Sequence, residues 1–183
     1  MKVPKQIFAA VIAVLSAIAL SACSAKPVDE LKIVGVAREQ ARNMEAPEYA
    51  PLDWDRGRMQ WEEANSLIQM GRYKEAKDVL IDSAGSFNAA RDKANRRVES
   101  LKIEIAALQS SAETELRKLV GESQSAKIKP LVKLRIEAAI PRIDEKIGTM
   151  NAAFEEKEYL RSRMAGHEAM RYMMDLEKRL EIS

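Results

Sequence analysis

The chain is short of the residues that catalytic and disulfide-bonded folds depend on: it has one cysteine, one histidine, and aromatic side chains at only 5% of 183 positions. One cysteine excludes an internal disulfide framework and a cysteine-rich metal site. The single histidine, His167, stands between Gly166 and Glu168 with no suitably spaced histidine or cysteine, so it reads as a surface side chain rather than a ligand. The seven glycines occur singly, which leaves no phosphate-cradling loop. Adjacent acids such as Glu62-Glu63 and Glu155-Glu156 point in different directions on a helix and make no carboxylate dyad. These absences lead to the expectation of a non-enzyme, with no catalytic, cofactor-binding or metal site and no small-molecule substrate.

One long apolar run is present, and it lies at the start. Lys2 and Lys5 precede the run from Ile7 to Ala19, which is followed by Leu20-Ser21-Ala22-Cys23. The run is too short and wrongly flanked for a stable membrane span, and it has the layout of a secretory signal peptide. The four residues match the lipobox of bacterial lipoproteins, whose cysteine is lipidated on sulfur and becomes the new N-terminus after cleavage. An uncleaved anchor or a plain signal sequence is the competing reading, but the lipobox also accounts for the chain's lone cysteine. Lipidated Cys23 implies a membrane as a partner, and Ser24 in place of aspartate implies the outer membrane, facing the periplasm, in an organism with two membranes. The expected layout is a signal peptide over 1–22, a lipidated tether over 23–30 and a single all-helical domain over 31–183.

Cleavage also changes the charge balance. The full chain holds 30 basic and 28 acidic residues, but Lys2 and Lys5 leave with the leader and no acid lies before Cys23. The 161 remaining residues are neutral, which removes the case for a nucleic-acid partner. The cluster Arg91, Lys93, Arg96 and Arg97 is followed by Glu99 and Glu104 and reads as a solvated helix face. With 32% charged residues and few aromatics, the composition is that of long amphipathic helices.

Along the mature chain, Val28 to Met44 shows helical periodicity, and the two prolines of Ala46-Pro47-Glu48-Tyr49-Ala50-Pro51 predict an extended segment. Pro51 then suits a first helical turn, with Asp53 and Asp55 near the positive end of the helix dipole. Trp54, Trp61, Ala64, Leu67 and Ile68 share one face, Gly71 supplies a left-handed cap, and Tyr73, Ala76, Val79, Leu80, Ser83 and Ala84 form the return helix. This hairpin is expected over 52–97. Val98, Leu101, Ile105, Leu108, Ala112 and Leu119 continue as a heptad seam that Glu115 interrupts and Gly121 closes.

A second long arm is expected from 128 to 181, with Leu131, Leu134, Ile140, Ile143, Ile147, Met150 and Phe154 as its apolar stripe and Pro141 kinking or splitting it, a kink near Ala139 being favoured. Antiparallel packing of this arm on 90–120 would bury both seams. The fold class is therefore all-α: a helical hairpin extended by long antiparallel, coiled-coil-like helices.

Two resemblances follow from these residues. Ala64, Leu67, Gly71, Tyr73, Ala76 and Leu80 resemble one tetratricopeptide repeat, in which a helix pair closes around Gly-x-Tyr-x-x-Ala. Over residues 46 to 97, the Ala-Pro-Glu-Tyr-Ala-Pro lead-in and that hairpin resemble an uncharacterised family of bacterial lipoproteins, often described as tetratricopeptide-like. The resemblance implies location and shape, and no enzymatic activity. Some relatives add a peptidoglycan-binding domain, but here the chain continues in helices.

The candidate partner surface comprises Tyr49, Trp54, Met170, Met173 and Met174. Tyr49 and Trp54, with Trp61, form either a recognition patch or the core of the hairpin. The methionines near the end, Met164 among them, either fill a core or grip a partner helix through flexible thioethers. The favoured function is a non-enzymatic interaction or scaffold module in the cell envelope, with an envelope protein as partner. The alternative is an accessory, pilotin-like or assembly lipoprotein of an outer-membrane or secretion machine. A cell-wall-acting enzyme ranks last.

Overall fold

A computed structural model describes residues 25–180, so the lipobox and Cys23 lie outside the described residues. Among those residues the fold is all-α, with helices α1 Val28–Asn43, α2 Ala46–Tyr49, α3 Pro51–Gln69, α4 Tyr73–Ser123, α5 Pro130–Glu155 and α6 Tyr159–Leu180. The packing forms two compact units, the first ending at Asn95 and the second starting at Arg96, and the boundary falls inside α4.

In the first unit, α1 starts after Pro27 with Asp29 and Glu30 in its first turn and ends with Arg42 in its last, an arrangement that suits the helix dipole at both ends. It buries Val34, Ala37 and Ala41, three positions on one face. The extended segment expected between α1 and α3 is instead mostly a single helical turn, α2. Glu45 adopts a left-handed φ of 53°, Pro47 occupies the first turn where its missing N–H removes no helical bond, and Ala50, before Pro51, leaves the helical region at φ −144° and ψ 52° without becoming extended. Burial of Ala46 and Ala50 in the core explains why the turn folds inward.

Helix α3 ends as expected. Gly71, at φ +73°, donates its N–H to Ile68 O at 3.0 Å, and Arg72 donates to Leu67 O at 2.9 Å. This double bond pattern needs a left-handed residue, which glycine adopts without Cβ strain. α3 then runs antiparallel to α4: Ser83 Oγ donates to Gly57 O at 2.8 Å, Ser86 Oγ to Gln60 Oε1 at 2.7 Å, and Lys93 pairs with Asp53. Lys77 to Glu30 and Arg91 to Gln40 set α1 parallel to α4. The core is built mainly of alanines around Leu80 and Phe87, so the helices approach closely. Gly57 is a point of close approach, since a Cβ there would stand 2.9 Å from the Phe87 ring.

The second unit repeats this up-down-up order. Glu104 to His167 (3.3 Å) and Lys118 to Glu177 (2.7 Å) set α6 parallel to the later part of α4. Ser162 Oγ to Met150 O (2.8 Å) and Lys146 to Glu168 (3.3 Å) set α5 antiparallel to α6. The expected seam is present: Leu101, Ile105, Ala112 and Leu119 are buried, Val98 and Leu108 half-buried. Glu115 fits it badly, with Oε2 buried and no hydrogen bond, 3.5 Å from Lys118. α4 runs past Gly121 to Ser123, whose hydroxyl bonds to Val120 O.

Two expectations for the last third are corrected. The arm over 128–181 divides, but not at Pro141, which lies within α5 on its exposed side. The chain reverses at Lys157, left-handed at φ 63°, where Lys157 N–H bonds to Phe154 O and Glu158 N–H to Ala153 O. No glycine marks this turn, so the reversal carries no sequence signal. The apolar stripe differs at its start: Leu131 and Leu134 are 61% and 63% exposed and Ile136 and Ala139 face inward instead, while Ile143, Ile147 and Met150 are buried as expected.

Candidate functional site

The aromatic candidates belong to the first unit's packing. Trp54 meets the Phe87 ring edge-on at a centroid distance of 5.1 Å and 62° between planes. Tyr49, at the end of α2, is half-buried against the same core. Trp61 lies under the Arg38 guanidinium, which sits 4.2 Å from its ring centre, while Arg38 Nε is buried without a hydrogen bond. That contact replaces hydrogen bonding by attraction to the ring face.

The methionines do not form one surface. Met173 is buried in the second unit, Met170 is half-buried, and Met174 and Met164 are 64% and 60% exposed. Met173 therefore serves the core, and of the residues Met170, Met173 and Met174 only Met174 is fully presented to solvent. His167 is exposed and faces Glu104, with Arg163 also 3.7 Å from that carboxylate. No group of three or more His, Cys, Asp or Glu side chains able to hold a metal occurs among the described residues. No described helix is long and apolar enough to cross a membrane.

Sequence reasoning missed Asp53 as a buried group. It is only 5% exposed and is neutralised by Lys93, forty residues away in the chain, with Arg56 Nη1 at 3.5 Å. From the sequence alone Asp53 is a first-turn acid, and nothing local reveals Lys93 as its partner.

It also missed a pair of grooves between α5 and α6, the second of them cationic. Two adjoining grooves of about 380 and 340 Å³ share Arg142 and Tyr172. The first holds the Lys146–Glu168 pair. The second combines Arg135, Arg142 and Arg179 with Ala138, Ala139, Leu176 and Leu180. None of its three arginines forms an ion pair among the described residues. Guanidinium groups above an apolar floor suit a carboxylate or phosphate attached to a hydrophobic body. A third groove of about 340 Å³ lies in the first unit along Lys32, Ile33, Val36, Ala37, Gln40 and Asn88. Of the second groove's three arginines only Arg135 lies in the acid-free stretch between Glu122 and Glu137, so no local signal announces that groove.

No family model matches the chain, and neither a curated protein nor a solved structure shows significant similarity to it.

Proposed function

We propose that the protein is a lipid-anchored bacterial envelope lipoprotein that acts as a non-enzymatic helical docking module. The observation that carries this reading is Leu20-Ser21-Ala22-Cys23 after a basic start and an apolar run. A thioether-linked diacylglyceryl group and an N-acyl chain on Cys23 would place more than one acyl chain at the N-terminus, and two or more chains make anchoring durable. The helical start at Val28 supports it, since it leaves only a few residues of tether between Cys23 and the first packed element. Ser24 favours the outer membrane facing the periplasm. Exposed apolar and cationic side chains along the helix seams suit contact with envelope proteins.

The test is metabolic labelling with a palmitate analogue. The native chain takes up label and stays with membranes through a high-salt wash; Cys23→Ala takes up none and is released by that wash. Unchanged labelling of Cys23→Ala, or its unchanged retention after the high-salt wash, refutes the anchor.

A further inference from the structure

Helix α5 has two apolar stripes at its start. Ile136, Ala139 and Ile143 face the core. Leu131, Leu134 and Ala138 have the same i, i+3, i+7 spacing, and at 100° per residue their stripe falls on the opposite side of the helix. All three are exposed, and neither leucine lines the grooves described above.

The same stretch is net basic, with Glu137 its one acid. From Ser123 to Ile136 there are four cations, Lys127, Lys129, Lys133 and Arg135, and no acid. Lys133 alone has an ion pair, at 3.9 Å to Glu137; the other three have none among the described residues. Cations at the start of a helix oppose its dipole, so this arrangement weakens α5 by itself and gains only when an anion is near. The stripe and the cations lie within the second unit.

We propose that this tip docks on an anionic lipid surface, with Leu131 and Leu134 entering the headgroup–acyl boundary and the cations meeting lipid phosphates. A lipid surface is favoured over an acidic protein because the leucines form an outward stripe beside cations, the pattern of interfacial helices, and line none of the grooves described above. The contact does not involve Cys23 and is additional to the proposed anchor.

The test uses the chain from Ala25 to Ser183, which contains every packing contact described above and has no cysteine to acylate. Its result therefore stands or falls separately from the labelling of Cys23. The protein is floated with phosphatidylglycerol-rich vesicles and with pure phosphatidylcholine vesicles. It is expected to float with the anionic vesicles at low salt and to be released at high salt. Lys127→Gln/Lys129→Gln/Arg135→Gln is expected to weaken partitioning about 100-fold, at about fivefold per cation. Leu131→Ser/Leu134→Ser is expected to weaken it at unchanged charge. All five positions are exposed, and circular dichroism checks that helix content is retained. No flotation with anionic vesicles, equal flotation with neutral ones, or full binding by the triple variant overturns the proposal.

Discussion

At the residue scale, the two glycines that flank the Phe87 packing make opposite predictions. Gly57 has no room for a Cβ, so Gly57→Ala must displace the fully buried Phe87 ring. Overpacking of this kind costs about 1–3 kcal/mol, which exceeds the alanine's helix-propensity gain of about 1 kcal/mol or offsets most of it. Gly85 lies in the interior of α4, is exposed, and has nothing within 4 Å of an added Cβ. Gly85→Ala is therefore expected to stabilise by about 1 kcal/mol. Urea unfolding of both variants checks the pair; a more stable Gly57→Ala would show that Phe87 can move.

Glu30 gives a pH-dependent case. The hydrogen bond from Lys77, at 2.6 Å, holds the Glu30 carboxyl below its ordinary value of 4.5, and the Lys77 ammonium is raised above 10.5 by the same bond. A lowered acid contributes stability that is present above its unfolded value and lost as pH falls through the folded one; the raised lysine's share is lost as pH rises through its folded value. Glu30→Gln is expected to be less stable than the native chain at neutral pH and equal to it in strong acid. Thermal melts across pH read the difference, and a constant gap at every pH would assign the loss to packing.

At the scale of elements, the two chain reversals show what sequence signals can and cannot carry. Both α3 and α5 end with the same pair of backbone hydrogen bonds around a left-handed residue. At Gly71 the residue type announces the turn. At Lys157 it does not, and the φ of 63° is held by the packing of α5 against α6, through Met150, Ser162 and Gly166. Lys157→Gly is thus expected to raise stability by about 1 kcal/mol, since it removes left-handed strain while exposed Lys157 has no ion pair to lose among the described residues. A lower melting temperature for Lys157→Gly would mean that the lysine contributes more than its backbone strain costs. The same contrast explains Pro141. A proline inside a helix forfeits one hydrogen bond, yet continuous burial of Ala139, Ile143 and Ile147 on the far side keeps α5 whole.

For the whole molecule, the sequence by itself determined the class and the rough spans of α1, α3 and α4. Helix-period apolar residues, Pro51 at the start of α3, Gly71 and the seam from Leu101 to Leu119 all act over a turn or two, which is the range that local periodicity and backbone chemistry report. The motif Leu20-Ser21-Ala22-Cys23 and the charge balance expected after the proposed cleavage are likewise read from the chain alone. Tertiary structure decided everything that joins distant positions: the neutralisation of Asp53 by Lys93, the fit of Gly57 against Phe87, and the reversal at Lys157. It also decided which face of α5 turns inward. Ile136, Ala139 and Ile143 compete with Leu131, Leu134 and Ala138 for the core, and both stripes satisfy helical spacing. Only packing within the second unit, above all against α6, selects between them, which leaves two leucines among cations in solvent.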